Sequence, residues 1–286
     1  MKLSVAIADS RALPSAFVVW RGLEESIQKA AGLGYDGVEL ALKQAGEVDP
    51  DRLAACLQRA GIEVSCISTG QVYAALGLMF TDPDPERRRR VFGVFKELID
   101  LAESFGRIVN IGRVRGQIGD APRDRAEGLF LDMARRLCDY AGPKNVTLVL
   151  EPVNRYEIDF VNSVAQGADL LHKVNRPNLK LMPDVFHMNI EDRTLGGELA
   201  RHIEQIGYIH LADSNRRAPG QGHTDFQDIF HHLKRSGYDG WVSVEILPEP
   251  DPDRAAADAA AFLRPIIDQY NANKGTWMKR EGTSHV

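Results

Sequence analysis

Four residues of types that commonly bind metal ions each stand at the end of a short apolar run. They are Glu151, Asp184, His210 and Glu245, and they recur at intervals of 33, 26 and 35 residues. An eight-unit barrel of βα repeats spread over 286 residues would average about 36 residues per unit. In such a barrel the carboxyl ends of the parallel strands meet at one mouth. The spacing therefore predicts that the four side chains converge on one site.

The three carboxylates and the imidazole suit a divalent cation. We expect Glu151 and Glu245 to lie on adjoining strands, where two buried carboxylates are costly unless a cation compensates them. Asp184 and His210 complete the ligand set. A ligand set of oxygens with a single nitrogen favours Mn²⁺ and is also compatible with Mg²⁺ or Co²⁺. Structural zinc sites are instead rich in thiolates.

The same ligand set suggests a reaction. A metal ion that chelates a carbonyl oxygen and the neighbouring hydroxyl acidifies the C–H bond between them. Glu151 and Glu245, on opposite faces of that carbon, could remove and return its proton. A symmetric pair of glutamates suits a reaction that inverts one carbon, and it suits a simple hydrolysis less well.

Strand-like and helix-like segments alternate along the chain in eight βα units. The first strand is expected over residues 3–7 and the last helix over residues 254–270. This alternation predicts a parallel sheet closed into a (β/α)₈ TIM barrel, with residues 1–270 as one domain and residues 271–286 as a polar tail. The alternative is an open doubly wound sheet, but the turn after the first strand, residues 8–11, lacks the glycine-rich phosphate-binding pattern.

Composition narrows the function classes. The formal net charge of −5 provides no basic surface for nucleic acid. The three cysteines, Cys56, Cys66 and Cys138, lack paired spacing, which is typical of reduced thiols. No segment approaches the roughly 18 apolar residues of a membrane span, and the N-terminus lacks a signal-peptide core. We therefore expect a cytoplasmic protein with a small-molecule partner, and neither nucleic acid nor a membrane.

Four motifs together resemble the ketose 3-epimerases of the xylose-isomerase-like TIM barrel superfamily, which include the tagatose and psicose 3-epimerases. The motifs occupy residues 150–157 (LEPVNRYE), 184–191 (DVFHMNIE), 210–216 (HLADSNR) and 244–245 (VE). The resemblance implies that Glu151, Asp184, His210 and Glu245 bind one metal ion, and that Glu151 and Glu245 exchange the proton through a cis-enediolate. It further implies that Glu157, His187 and Arg216 bind substrate oxygens, and that the protein is a homodimer or homotetramer.

Two arginines after the fourth predicted strand point to an acidic substrate. Arg113 and Arg115 are expected near the mouth, where a guanidinium would bind a sugar acid or a sugar phosphate but is not needed for a neutral ketose. With residues 68–73 (STGQVY), they make the chain resemble the branch that epimerises keto-hexonates, such as 5-keto-L-gluconate epimerase. The alternative is that both arginines pair with acidic residues on a loop.

Other activities remain open on this scaffold. An aldose–ketose isomerase such as hydroxypyruvate isomerase, or a sugar-phosphate epimerase, would differ mainly in the part of the substrate that the pocket presents. An endonuclease acting on abasic DNA would need more histidines and a basic channel. A sugar-binding barrel without catalysis would lose one carboxylate of the pair, whereas both Glu151 and Glu245 are present.

Overall fold

Eight parallel strands form a nearly closed barrel, so the predicted (β/α)₈ TIM-barrel fold is confirmed. The computed structural model describes the backbone of residues 1–281 and the side chains of residues 1–272. The strands are β1 (Lys2–Ala8), β2 (Trp20–Arg21), β3 (Gly37–Ala41), β4 (Glu63–Ser68), β5 (Ile108–Ile111), β6 (Thr147–Leu150), β7 (Leu179–Leu181), β8 (Tyr208–Leu211) and β9 (Trp241–Val244).

The sheet closes through two parallel bridges. The strand order is β7-β6-β5-β4-β3-β1-β9-β8, with the two-residue β2 paired to β1 outside the barrel. Leu181 pairs with Ile206, and Asp184 pairs with His210, which joins the segments of β7 and β8. The second bridge places two of the predicted metal ligands directly beside each other.

Helices follow the strands and cover the outside of the barrel. They are α1 (Leu23–Gly32), α2 (Pro50–Ala60), α3 (Gly70–Leu76), α4 (Pro85–Ser104), α5 (Arg123–Ala141), α6 (Val164–Val174), α7 (Val185–Glu191), α8 (Leu195–Arg201), α9 (Phe226–Arg235) and α10 (Pro252–Glu281). Their apolar faces and the strands form one large core. None of the helices within the described part of the chain has the length and apolar composition to cross a membrane.

Local sequence signals account for several helix ends. The side chain of Asp49 accepts hydrogen bonds from the backbone N–H groups of Asp51 and Arg52 at 3.0 and 3.1 Å, so it caps α2. Pro50 occupies the first turn, and Gly61 ends the helix in the left-handed conformation with φ 69°.

Three helical segments differ from the prediction. The sequence does not indicate the short helices α3 and α7, because seven residues are too few to show a helical period. Helix α10 continues past the predicted end at residue 270 as far as Glu281. The tail expected from residue 271 is therefore helical over its first part, and residues 282–286 lie outside the described residues.

The inside of the barrel is polar beneath its mouth. The Tyr208 hydroxyl lies 2.7 Å from the Ser65 hydroxyl, which in turn lies 2.6 Å from the hydroxyl of Ser4. Tyr208 and His210 are two residues apart in β8, so both side chains face the interior in successive layers. This buried layer supports His210 from below.

Candidate active site and metal centre

The four predicted ligands lie together at the carboxyl ends of four strands. One ligand atom from each of Glu151, Asp184, His210 and Glu245 lies within 4.8 Å of all the others. Glu151 follows β6, Asp184 follows β7, His210 is in β8 and Glu245 follows β9. The predicted convergence is therefore present in the structure, and these residues could hold a metal ion.

The expectation that Glu151 and Glu245 lie on adjoining strands is wrong. Their strands, β6 and β9, are separated by β7 and β8. The side chains nevertheless approach each other because the strands of a narrow barrel direct them toward a common axis. The two carboxylates therefore reach the centre from different sides, with Asp184 and His210 between them along the wall.

His210 is oriented by a buried carboxylate that the sequence reasoning missed. Its Nε2 lies 3.1 and 2.9 Å from the two carboxylate oxygens of Glu39 in β3, and both residues are fully buried. Its Nδ1 lies 3.4 Å from Glu151 Oε1 and 3.7 Å from Glu245 Oε2. An acidic residue inside the apolar segment 37–41 was the available signal, because a buried carboxylate needs a partner.

Two buried acceptor atoms in this cluster make no hydrogen bond. His210 Nδ1 has no hydrogen-bond partner, and neither does Asp184 Oδ2, although Arg216 Nη2 lies 3.2 Å from the latter. The other oxygen of Asp184 accepts the backbone N–H of Phe186 at 2.9 Å. Unpaired buried acceptors are rare in folded proteins. Here their arrangement fits a divalent cation with one nitrogen and three carboxylate ligands.

The protonation equilibria of the two glutamates differ strongly. Burial raises the pKa of Glu245 to about 8, and the neighbouring Glu151 and Asp184 also raise it. Burial likewise opposes the charge of Glu151, but the neighbouring His210 lowers its pKa to about 2. Burial opposes a charge on His210 as well, yet Glu39 and Glu245 raise its pKa well above the usual value. Negative charge is therefore in excess at this centre.

Arg216 brings a guanidinium to the edge of the centre. Its guanidinium is buried between two aromatic rings, 4.2 Å from the centroid of Phe17 and 4.6 Å from that of Phe186. It forms an ion pair with Glu245. The backbone of Arg216 is in the left-handed region, with φ 58°. This conformation is strained in a residue other than glycine, so the contacts of the surrounding loop must hold it.

Asp213 organises the loop that carries Arg216. Its carboxylate accepts hydrogen bonds from the backbone N–H groups of Ser214, Gly220 and Thr224 at 2.7, 2.8 and 3.0 Å. Burial acts to raise the pKa of Asp213, but these hydrogen bonds lower it. A carboxylate with this many donors stabilises the loop that brings Arg216 to the cavity.

His187 and Glu157 line the same cavity and share one neighbour. The side-chain nitrogen of Asn154 lies 2.8 Å from His187 Nδ1 and 3.2 Å from Glu157 Oε1. Burial lowers the pKa of His187, and Arg216 lowers it further. All three residues predicted from the resemblance to bind substrate oxygens therefore border the cavity that contains the ligand cluster.

The cavity opens to solvent at the mouth of the barrel. Its volume is about 580 Å³ including the open mouth. The predicted site residues on its wall are Arg113, Glu151, Glu157, His187, Arg216 and Glu245. Ser68 and Gln71, from the segment 68–73, add further polar groups to the wall.

The structure separates the two arginines that were predicted to bind an anion. The Arg113 side chain is partly exposed, with Nη1 3.6 Å from Glu157 Oε2 and the guanidinium 5.6 Å from the Tyr73 ring. Arg115 does not reach the cavity and has no exposed surface. We therefore correct its expected role in substrate binding.

The guanidinium of Arg115 binds backbone carbonyls instead. Its Nε donates to Phe160 O at 2.7 Å, Nη2 donates to Val161 O at 2.9 Å, and Nη1 donates to Gly112 O at 3.0 Å. Residues 160 and 161 belong to the loop after β6, which also carries Glu157. Arg115 thus ties two loops at the mouth together, because a guanidinium satisfies several carbonyls at once.

Comparisons with known proteins agree with this geometry. The model of the xylose isomerase-like TIM barrel family matches residues 27–266. The L-ribulose 3-epimerase of Methylomonas sp. (strain DH-1) is 30% identical over 233 residues, which cover 78% of each chain. The putative hydroxypyruvate isomerase of Mus musculus is 29% identical over 87% of this chain and 91% of its own length. The crystal structure of a D-allulose 3-epimerase from Methylomonas sp. superposes with a TM-score of 0.80 at 24% identity, covering 93% of this chain and 98% of that chain.

The chain belongs to the xylose isomerase-like TIM barrel family. Its resemblance to the ketose 3-epimerases is confirmed by the relatives that carry such names. The chain is accordingly an enzyme of a family that includes sugar epimerases and isomerases.

Replacing Arg115 by methionine should destabilise the fold. The substitution removes all three donors and leaves buried carbonyls unpaired, at about 1–3 kcal/mol for each. We expect a loss of about 3 kcal/mol or more in the free energy of unfolding, measured by urea denaturation. Arg201→Met, at a side chain that is 71% exposed, is the control and should change stability little. Equal stability of the two variants would contradict the structural role of Arg115.

Replacing Glu39 by glutamine should weaken metal binding while keeping the shape of the site. Partners that orient a metal-binding histidine typically contribute about 10–100-fold to metal affinity. We expect the affinity for Mn²⁺, measured by isothermal titration calorimetry, to fall within that range. The control is Glu63→Gln, at an exposed residue at the start of β4 that pairs with Lys2. Unchanged affinity in the Glu39 variant would exclude this role.

Proposed function

We propose that the chain is a divalent-metal-dependent epimerase that inverts a carbon next to the carbonyl group of a ketose or keto-sugar acid. The reaction is of the 3-epimerase type. The observation that carries the proposal is the convergence of Glu151 and Glu245, together with Asp184 and His210, in one cavity. The names of the relatives support the same reaction class.

Glu151 and Glu245 are the proposed acid and base. They approach the centre from strands that are not neighbours, so a carbon bound between them would present a different face to each. One carboxylate removes the proton from the carbon, and the other returns a proton to the opposite face of the planar cis-enediolate. General acid and base catalysis of this kind contributes roughly 10²–10⁴-fold for each group.

Glu151, Asp184, His210 and Glu245 would hold the metal ion. When bound, such an ion polarises the substrate carbonyl as a Lewis acid and so makes the adjacent C–H bond more acidic. A set of three carboxylates and a single imidazole favours Mn²⁺, and Mg²⁺ and Co²⁺ are the alternative metals. The role of Glu39 is to keep Nδ1 of His210 directed at the site.

Three further residues would bind the oxygens of the substrate. Arg216 and His187 lie beside the carboxylate cluster, and Glu157 lies farther toward the mouth, within reach of Arg113. Hydrogen-bonding groups that are already held in place in a buried wall orient a polyol, because they need not rearrange when the substrate binds. These contacts would place the reacting carbon between the two glutamates.

Arg113 is the residue that would distinguish an acidic from a neutral substrate. Its guanidinium faces the cavity, and its acidic neighbour Glu157 is 3.6 Å away, beyond the normal length of a charge-assisted hydrogen bond. Donor capacity therefore remains for a substrate carboxylate. On this basis we favour a keto-sugar acid over a neutral ketose.

The direct test is product analysis in heavy water. Ketoses, keto-sugar acids and ketose phosphates are incubated in D₂O with the Mn²⁺-loaded protein, and product stereochemistry and deuterium content are determined by NMR. An epimerase incorporates deuterium at the inverted carbon. Formation of an aldose would indicate an aldose–ketose isomerase instead, and the absence of exchange in every substrate would identify a binding protein.

Replacing either glutamate of the pair by glutamine should abolish most of the activity. For Glu151→Gln and Glu245→Gln we expect kcat to fall by roughly 10²–10⁴-fold, because the amide cannot exchange the proton. Metal affinity is measured in parallel, so that a lost ligand is distinguished from a lost proton transfer. Glu103→Gln, at an exposed residue paired with Lys144, is the control. A variant of the pair that retains full metal binding and full kcat would refute the mechanism.

Arg113→Ala should discriminate between substrate classes. If the guanidinium binds a carboxylate, KM for an acidic substrate should rise about tenfold or more, whereas KM for a neutral ketose should change much less. The control is Arg155→Ala, because Arg155 lies on the same loop as Glu157 but pairs with Glu191. Equal effects on both substrate classes would remove the anion-binding role.

A further inference from the structure

We infer that Asn154 sets the tautomer of His187, so that the imidazole directs an N–H group at Nε2 into the cavity. Asn154 is a positioning residue in this inference, and His187 is the residue that meets the substrate. The part that concerns the substrate rests on the proposed function. The tautomer itself is a property of the protein alone.

The orientation of the Asn154 amide is determined by its surroundings. Its Oδ1 accepts the backbone N–H of Tyr156 at 3.0 Å, and its Nδ2 lies 3.2 Å from the carboxylate oxygen Oε1 of Glu157. The reversed amide would place an oxygen against a carboxylate and an NH₂ group against a backbone N–H. Both contacts would be repulsive, so the NH₂ group must face Glu157 and His187.

This orientation requires a lone pair on Nδ1 of His187. The Asn154 NH₂ group lies 2.8 Å from Nδ1, a distance at which only an acceptor is tolerated. The ring therefore carries its N–H at Nε2. Both residues are buried, so water does not offer an alternative partner for Nδ1.

The contact with Arg216, taken alone, would favour the opposite tautomer. Nη1 of Arg216 lies 3.3 Å from His187 Nε2, and a hydrogen bond there would require the proton to move to Nδ1. That proton would then point at the NH₂ group of Asn154 across the shorter contact. Asp184 and Glu245 compensate the charge of Arg216 through Nη2, and the 3.3 Å contact of Nη1 with the imidazole is longer than the 2.8 Å contact between Asn154 and Nδ1. The Asn154 contact therefore decides the tautomer.

The two histidines at the centre thus present different groups to the cavity. Glu39 accepts the N–H of His210 at Nε2 and leaves the Nδ1 lone pair toward the carboxylate cluster. Asn154 donates to Nδ1 of His187 and leaves the Nε2 N–H in the cavity, 4.0 Å from Glu151 Oε1. One imidazole is a ligand and the other is a hydrogen-bond donor. A neutral donor next to the proton-transfer pair suits a substrate oxygen that gains negative charge during the reaction.

Nitrogen NMR of the histidine ring tests the inference directly. The protein is labelled with ¹⁵N-histidine and loaded with Mg²⁺, which is diamagnetic, and the His187 signals are assigned with a His187→Gln variant. We expect the wild-type ring to carry its proton at Nε2. We expect Nδ1 to be protonated in Asn154→Asp, because the new carboxylate accepts where the amide donated. A wild-type ring protonated at Nδ1, or an unchanged ring in Asn154→Asp, would overturn the inference.

The kinetic readout separates positioning from a general structural role. We expect kcat of Asn154→Asp to fall about 100-fold, the effect of losing one donor to a developing oxyanion, while Mg²⁺ affinity is retained. Asn154→Ala adds no charge and should release the ring into both tautomers with a comparable loss of kcat. A loss of kcat without a change of tautomer in both variants would contradict the inference.

Asn189→Asp is the matched control. It makes the same chemical change at an exposed residue of α7, two positions after His187. In this variant the His187 tautomer and kcat should equal those of the wild type. A shifted tautomer would mean that added charge, rather than the Asn154 contact, acts on the ring. If the wild-type tautomer is found at Nε2 but no ketose is epimerised, the proposed function fails while the assignment of Asn154 stands.

Discussion

Buried negative charge at the mouth of the barrel is the constraint on which the rest of the site depends. Four carboxylates with little access to water occupy this small volume: Glu39, Glu151, Asp184 and Glu245. Carboxylates lose their hydration on burial and remain charged only where cations or hydrogen-bond donors compensate them. The surrounding protein provides such partners on the outer side, through Asn110 for Glu151 and the Phe186 N–H for Asp184. The inward-facing lone pairs are left for a cation.

The loops around the mouth are held by polar contacts that depend on this arrangement. Asp213 collects backbone N–H groups and positions Arg216, whose guanidinium then compensates Glu245. Arg115 binds carbonyls of the loop after β6 and so helps to place Glu157 and Asn154. In both cases a buried charge is used to fix backbone rather than to bind substrate. These contacts hold the loops that carry Arg216, Glu157 and Asn154 in place at the cavity wall.

Relatives of this chain are named both as 3-epimerases and as putative hydroxypyruvate isomerases. A fold does not define a reaction, and the carbon that is deprotonated depends on how the wall orients the substrate. In this chain Arg113, Gln71 and His187 belong to that wall.

The sequence by itself determined the barrel and the positions of the four predicted ligands. Strand and helix patterns are local, and the end of each parallel strand is directed to the same mouth, so Glu151, Asp184, His210 and Glu245 could be identified from their spacing. The tertiary structure alone decided that β7 and β8 lie between the two glutamates, that Glu39 orients His210, and that Asn154 contacts His187. It also decided that Arg113 faces the cavity while Arg115, two residues away, binds the carbonyls of Phe160 and Val161. These contacts join residues from about 30 to 171 positions apart, and no local pattern encodes them because they exist only once the closed sheet has set the distance between the loops.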